Sequence, residues 1–270
     1  MSSSRLRLDH VLVERGLAPT RSRARAVIMA GKVRVGGQAA SKPGTLVTSD
    51  DHIELIAAPR FVGRGGDKLA AAIDASGLDI SGRVCLDIGA STGGFTDALL
   101  QAGAAVVVAV DVGYGQLDWR LRQDGRVLVL ERLNARYLTT DDLPDELGAA
   151  PEILVIDVAF IGVAKILPAV GGVCAPTCDA LVLVKPQFES GPNRVGAGGV
   201  VTDSVSRRES LASVGGAAEE LGWSVIGAIP SPIRGSAGNW ECFLQLRRPP
   251  SASEFASLQV TLNGIDVPDD

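Results

Sequence analysis

Two patterns in the 270-residue sequence predict an α/β fold, in which a mostly parallel sheet is wound by helices and preceded by a small α+β module. The first is a series of short, mostly apolar runs, Val84–Ile88, Ala105–Val110, Arg126–Leu130, Ile153–Ile156 and Leu181–Val184, with helically spaced residues between them. Strands covered on both faces read as unbroken apolar runs, and a 3.6-residue period supplies the helices that cover them. The second is a shift in charge: residues 1–65 hold eleven Lys/Arg against five Asp/Glu, within a chain of formal net charge −5.

In chain order, Arg5–Glu14 carries Leu8, Val11 and Leu12 at helical spacing, and Gly16 stops it. A second helix is expected from about Arg21 to Ala30, burying Ala24, Val27 and Ile28. Arg21 and Arg25 lie four apart and share a face that the core does not use. Lys32-Val-Arg-Val35 alternates like a half-buried strand with Lys32 and Arg34 outward, Gly36-Gly37 turns it, and Ile53 and Leu55 lie in a later strand. Two short helices and a small sheet with cations on one side suit a polyanion; an uneven solvated surface is the alternative. The expected boundaries are 5–59 for this module, 60–66 for a linker, 67–248 for the sheet domain and 249–270 for a weakly ordered tail.

After the linker an amphipathic helix opens near Asp67, with Lys68 at its start. A cation is unfavourable there, so Lys68 reads either as a solvated surface lysine or as one wanted for another purpose. Val84–Ile88 then enters the turn Gly89-Ala-Ser-Thr-Gly-Gly94, whose lack of Cβ atoms lets backbone N–H groups approach a ligand at the N-terminus of the next helix, Phe95–Ala102. The next strand ends in Asp111, placed to take both hydroxyls of a ribose. A dinucleotide or S-adenosylmethionine would fit. The G-x-G-x-x-G fingerprint is broken at Gly89-Ala-Ser, whereas Asp87-x-Gly89-x-x-x-Gly93 is the looser loop usual in methyltransferases.

Asn134 follows the third strand and could reach an adenine edge or belong to a surface loop. Ile153–Ile156 ends in Asp157, a helix holds Ile166, Leu167 and Val170, and Leu181–Val184 ends in Lys185. Ligands of open parallel sheets bind outside the carboxyl ends of the strands, so Asp87, Asp111, Asp157 and Lys185 should face one crevice. Gly191–Gly199 holds four glycines in nine residues and reads as a flap. Ser204–Leu221 should be a helix with Leu211, Val214, Ala218 and Leu221 inward, followed by strands Trp223–Ile229 and Trp240–Leu246, the last begun by Glu241.

Composition narrows the class. No apolar run approaches ~18 residues, and the polar start Met1-Ser-Ser-Ser is unlike a signal peptide. Four scattered cysteines and two histidines argue against zinc or a disulfide scaffold, so a reducing cytoplasm is expected, with no metal and no membrane partner.

Arg7-Leu-Asp-x-x-Leu-Val-x-Arg-Gly16, Ser22-Arg-x-x-Ala26 and Ala30-Gly-Lys-Val-x-Val-x-Gly37 resemble an S4 RNA-binding domain over residues 5 to about 59. That implies RNA contacts by Arg7, Arg21, Arg25, Lys32 and Arg34 through shape and phosphates. Lys68, Asp157, Lys185 and Glu241 resemble the Lys-Asp-Lys-Glu tetrad of FtsJ-like 2′-O-ribose methyltransferases. With Arg64-Gly-Gly-Asp-Lys-Leu69, Asp87-x-Gly-Ala-Ser-Thr-Gly-Gly-Phe-Thr96, Asp111-Val-Gly-Tyr-Gly-Gln116, Leu183-Val-Lys-Pro-Gln-Phe-Glu189 and Gly238-Asn-x-Glu241, the chain resembles the TlyA family from residue 5 to about 247.

The resemblance implies a Rossmann-like class I S-adenosylmethionine-dependent methyltransferase sheet, methylation of a cytidine 2′-hydroxyl in ribosomal RNA, and ribosomal subunits as partners. Lys185 would be the base and Lys68 its cationic neighbour, with Asp157 and Glu241 holding both. Asp87, Gly89, Ala90, Ser91, Gly93, Gly94, Asp111 and Asn134 would surround the methyl donor. A lysine base needs its pKa moved from about 10.4 to roughly 7–8, worth about 4 kcal/mol. Burial or a second ammonium supplies such a shift, whereas carboxylates oppose it and serve to orient. Phe160 would stack on a flipped base, or else pack in the core. Ala159 and Gly63 stand where the family pattern has serine. The competing readings are a non-catalytic ribosome-binding factor, a nicotinamide oxidoreductase, and a membrane-active haemolysin, a label some family members carry.

Overall fold

The computed structural model describes residues 5–56, 59–191, 194–196, 198–248 and 258–270, and the chain divides into two units, Met1–Pro59 and Arg60–Asp270. In the first, β1 (Leu6–Arg7) leads into α1 (Leu8–Glu14) and α2 (Arg21–Met29), then β2 (Val33–Val35), β3 (Gln38–Ala40), β4 (Leu46–Val47) and β5 (Ile53–Leu55). Thr20 starts α2 by accepting the Arg23 N–H at 3.2 Å, satisfying one donor that the first turn leaves free. β2 is the centre of an antiparallel sheet in the order β3-β2-β5, and β1 pairs with β4. The apolar positions of both helices close on Val33, Val47 and Ile53 in one small core, with Val27 half-buried at its edge.

The second unit runs through α3 (Arg64–Ser76), β6 (Val84–Ile88), α4 (Gly94–Gln101), β7 (Val106–Asp111), α5 (Trp119–Arg122), β8 (Val127–Glu131), β9 (Ile153–Ile156), α6 (Leu167–Gly172), β10 (Cys178–Val184), α7 (Pro186–Glu189), α8 (Ser204–Glu220), β11 (Ser224–Pro230), β12 (Cys242–Arg248) and α9 (Leu258–Asn263). Its seven-stranded sheet has the order β11-β12-β10-β9-β6-β7-β8, and β12 runs antiparallel to both of its neighbours. Alternate residues of each central strand serve opposite cores: Cys85, Val107, Val155 and Leu183 on one face, Leu86, Val108, Ile156 and Val184 on the other. Both faces are covered, which is why these strands are mostly apolar, Asp87 in β6 being an exception. From β6 the chain steps outward one way to β7 and β8 and later the other way to β9 and β10, so the topological switch lies between β6 and β9.

Four expectations need correction. The helix carrying Lys68 starts at Arg64, inside the expected linker, so Lys68 lies beyond its first turn. Gly65 and Gly66 are poor helix formers, but a Cβ on Gly66 would strike the Phe61 ring, and one on Gly94 would lie 2.9 Å from the Gly66 nitrogen. Close packing of α3 on α4 overrides propensity here. Leu221 caps α8 and is exposed rather than inward. Glu241 precedes β12 instead of opening it. Within the expected tail, 258–263 is helical and Leu262 and Val267 are buried; residues 249–257 lie outside the described residues. The expected flap, 191–199, also falls partly outside them.

Candidate active site

Backbone topology delivers four polar residues to the carboxyl edge of the sheet. Asp157 directly follows Ile156, the neighbour in register of Ile88, Lys185 directly follows Val184, and Glu241 directly precedes Cys242, the antiparallel partner of Val184. α3 adds Lys68 from above: a Cβ on Gly65, one turn earlier, would lie 3.9 Å from Asp157 Oδ2. The residues form two ion pairs. Lys68 Nζ donates to Glu241 Oε2 at 2.5 Å, with 10% and 3% side-chain exposure, and Lys185 Nζ lies 2.5 Å from Asp157 Oδ1. Lys68 is therefore buried, not a solvated surface lysine. Each lysine has its own carboxylate, so the expected orienting role divides one to one.

The glycine-rich turn behaves differently from the expected N–H cradle. The N–H groups of Gly89 and Ala90 donate to Val110 O at 2.9 and 3.1 Å, that of Ser91 to Asp111 Oδ2 at 2.7 Å, and that of Gly93 to Ala90 O at 2.7 Å. Gly89, at φ +87°, is required because a Cβ there would collide with the Asp157 carbonyl. The turn lets β6, β7 and β9 approach closely, and these four amides are satisfied internally, while Thr92 and Gly94 line the smaller of the cavities described below. Gly94 serves α3–α4 packing.

Carboxylates dominate what remains. Asp87 is fully buried, accepts from Thr96 Oγ1 at 2.6 Å through Oδ2, and leaves Oδ1 without a partner. Burial first, then Asp157 and Asp111, raise its carboxyl pKa to about 7 against the Thr96 hydrogen bond. Asp111 holds Ser91 and, through Oδ1, the Gly113 N–H at 2.6 Å. A cavity of about 320 Å³ runs past Asp111, Gly113, Leu133, Asn134 and Asp157. A second of about 130 Å³ shares Gly89, Ser91 and Asp157 with it and extends to Gly65 and Phe95. Asn134 is exposed and lines the larger cavity while its Oδ1 accepts the Arg136 N–H at 3.1 Å, so the loop and ligand readings both hold geometrically.

Phe160 lines the same cavity, is 93% exposed, and has φ +66°, which rules out core packing. A bulky residue in the left-handed region carries strain that its surroundings must hold. Here Glu189 holds it: Oε1 accepts the Val163 N–H at 2.7 Å and fixes the loop, and the Phe188 ring centroid lies 5.5 Å from that of Phe160. Sequence reasoning missed this use of Glu189, although its motif was visible. It also missed Glu131, which accepts the Gly115 N–H at 2.8 Å, and the stack of Arg132 over the exposed Tyr114 ring at 4.1 Å. Arg132, at φ +60°, is another non-glycine in the left-handed region, a feature that residue types alone do not announce.

In the first unit, Arg25, Lys32 and Arg34 are exposed. Arg7 and Arg21 are half committed. Both donate to the buried Asp9, Arg7 through two nitrogens at 3.0 Å and Arg21 at 3.4 Å, while their side chains stay 51% and 59% exposed. The Arg7 hydrogen bond, and then the charges of both arginines, hold the Asp9 carboxyl below the usual carboxylate range.

Among the described residues no group of His, Cys, Asp and Glu could hold a metal ion, and no helix is long and apolar enough to cross a membrane.

The FtsJ-like methyltransferase family profile matches residues 61–248 and the S4 domain profile residues 6–53. The chain is 49% identical over 245 residues, 90% of each protein, to the 16S/23S rRNA (cytidine-2′-O)-methyltransferase TlyA of Mycobacterium tuberculosis. It is 36% identical to Hemolysin A of Brachyspira hyodysenteriae, covering 87% of this chain and 97% of that one. A solved structure of a hemolysin-named protein from Streptococcus thermophilus superposes with a TM-score of 0.71 at 37% identity, over 97% and 96% of the two chains. With both profiles and a 49% identical full-length relative in agreement, the chain belongs to the TlyA family, an S4 domain joined to an FtsJ-like methyltransferase domain.

Proposed function

We propose that this protein transfers a methyl group from S-adenosylmethionine to the 2′-hydroxyl of a cytidine in ribosomal RNA, in the cytoplasm where ribosomal subunits are found. The observation that carries the reading is the pair of lysine–carboxylate contacts, Lys68–Glu241 and Lys185–Asp157, with Asp157 lining both cavities and Asp111 on the wall of the larger.

The crevice fits this donor. A dinucleotide would bring a pyrophosphate beside Asp111 and Asp157, at a turn where the Gly89, Ala90, Ser91 and Gly93 amides are already used. S-adenosylmethionine carries positive charge on its sulfonium and amine, which suits a cavity whose acidic lining residues are Asp111 and Asp157. Asp111 offers its remaining lone pairs to the ribose hydroxyls, and Asn134 lies along the cavity wall. When bound, the donor supplies an activated methyl group. The protein's own residues align the acceptor and manage its proton. Lys185, positioned by Asp157, takes the 2′-hydroxyl proton on its neutral amine, becoming the ammonium that Asp157 pairs. Lys68, held by Glu241, presents positive charge where the acceptor oxygen becomes negative. Phe160 stacks on the target base, and Tyr114 with Arg132 forms a neighbouring platform for unstacked RNA. Arg7, Arg21, Arg25, Lys32 and Arg34 grip the RNA backbone.

Labelled methyl transfer to small and large subunits lacking the modification, followed by nucleoside analysis, tests the proposal. The expected product is 2′-O-methylcytidine, lost in Lys185→Ala. Label in a methylated base, or none with either subunit, overturns it. Leakage from liposomes without methyl transfer would favour the hemolysin reading suggested by a relative's name.

A further inference from the structure

Arg207 is among the largest fully buried side chains and does not contact the proposed chemistry. A buried guanidinium needs partners for its donors, and these partners belong to two segments far apart in the chain. Its Nε and Nη2 donate to Val201 O at 3.0 and 2.7 Å, Nη1 donates to Pro268 O, and Nη2 also donates to Asp270 Oδ2. The Asp270 carboxylate also receives both terminal nitrogens of Arg234 at 2.6 Å, and the Asp270 N–H donates to Thr202 O at 2.9 Å. Hydrogen bonds from Arg234 and Arg207, in that order, hold this carboxyl below the usual range, so it is ionised wherever the enzyme works.

The network continues to the tetrad. Arg234 also donates to Gly238 O at 3.1 Å. The buried Asn239 accepts the Val201 N–H at 3.0 Å, donates to Gly199 O at 2.8 Å, and its carbonyl takes the Gly235 N–H at 2.9 Å. Gly235 abuts Glu241 Oε1, where a Cβ would collide, and Ser231 N–H donates to Glu241 O at 2.9 Å. The loop 231–241 is thus held on one side by Asp270 and on the other by residues 199–201, and Arg207 ties the two holds together.

We propose that Asp270 is a positioning residue for methyl transfer. Through Arg234 and Arg207 it fixes the 231–241 loop, and with it the Glu241 carboxylate that orients Lys68. It also anchors the carboxyl end of the glycine-rich segment that follows Lys185. The inference rests on the methyl-transfer reading of the tetrad and assigns a role to a stretch that the sequence marks only as a tail.

The experiment compares full-length Asp270→Ala, Asp270→Asn and Asp270→Glu with the unaltered protein, measuring kcat and KM with ribosomal subunits and amide hydrogen exchange. Asp270→Ala and Asp270→Asn are expected to lower kcat roughly tenfold with KM within about twofold, since a small misplacement of catalytic groups acts on turnover. Exchange should quicken in 199–202 and 231–241 and stay unchanged in the central strands. Asp270→Glu, which keeps the charge, should recover most of the rate. Unchanged exchange in 231–241, or a kcat equal to that of the unaltered protein in the folded variants, overturns the proposal. An unaltered protein that methylates neither subunit sinks the methyl-transfer reading instead, and the exchange comparison still decides whether the clasp exists.

Discussion

The two units use the same cationic side chains in opposite surroundings. In the first, Arg25, Lys32 and Arg34 stand in water on a domain with a core of nine buried apolar residues. In the second, Lys68 and Lys185 are largely withdrawn from solvent, each against one carboxylate at 2.5 Å. A solvated cation is free to meet phosphates and release counterions, so it contributes affinity that fades with salt. A buried, paired amine has already lost its water and its freedom; what remains is a group fixed at one place, which the proposed function uses as a charge in Lys68 and as a proton acceptor in Lys185. The comparison teaches that burial, more than residue type, separates holding RNA from acting on it.

The largest effect that would break the comparison lies at Lys68. Lys68→Ala should reduce methyl transfer by about 10²–10⁴ and, by stranding the buried Glu241, destabilise the fold by about 3–5 kcal/mol. Turnover together with denaturant unfolding checks both. A fully stable, fully active variant would mean that the pair is ornamental.

Asp111→Asn comes next: loss of a charged acceptor for ribose hydroxyls should weaken donor binding by about 1.5–3 kcal/mol in calorimetry. Unaltered affinity would detach Asp111 from the donor. Replacing Arg25, Lys32 and Arg34 together by alanine should leave donor binding intact. It should also flatten the salt dependence of RNA binding by up to about 0.7–0.9 per lost phosphate contact. An unchanged slope would move the grip elsewhere.

Asp87 bears on stability and not on binding. Its folded-state pKa of about 7 exceeds the ordinary 3.8, so between those values the folded state binds more protons than the unfolded chain. Stability therefore falls as pH rises through that window. Asp87→Asn removes this term, so the apo variant should gain on the unaltered protein between pH 4.5 and 8; an equal difference at both pH values would refute the burial effect. At Phe160, glycine relieves a left-handed backbone worth about 1–3 kcal/mol. Phe160→Gly should therefore hold or raise stability while lowering turnover, and matching losses in both would assign the ring to packing.

The doubly covered strands were legible because each is a mostly apolar run followed by a charged or glycine residue. Of the four residues the switch-point argument grouped, Asp111 and Asp157 line one cavity, Lys185 pairs with Asp157, and Asp87 is fully buried. Lys68 was legible as an oddity, but its burial was not, since Gly65 and Gly66 hide the first turn of α3 and only packing against Gly94 reveals why they are helical. The turn was legible only in part: its glycines signal close approach, and part of that approach is to backbone, at the Asp157 carbonyl beside Gly89 and at α3 beside Gly94. Arg207 and Asp270 could not have been paired from sequence, because no period or motif connects residues 63 apart on different elements.

Single-turnover methyl transfer by Lys185→Ala, with subunits and donor both saturating and RNA affinity measured in parallel, tests the central claim most directly. The account predicts a rate at least about a hundredfold below that of the unaltered protein, with RNA affinity within twofold. A near-native rate, or a loss that saturating RNA restores, would show that the buried lysines only help to hold the substrate.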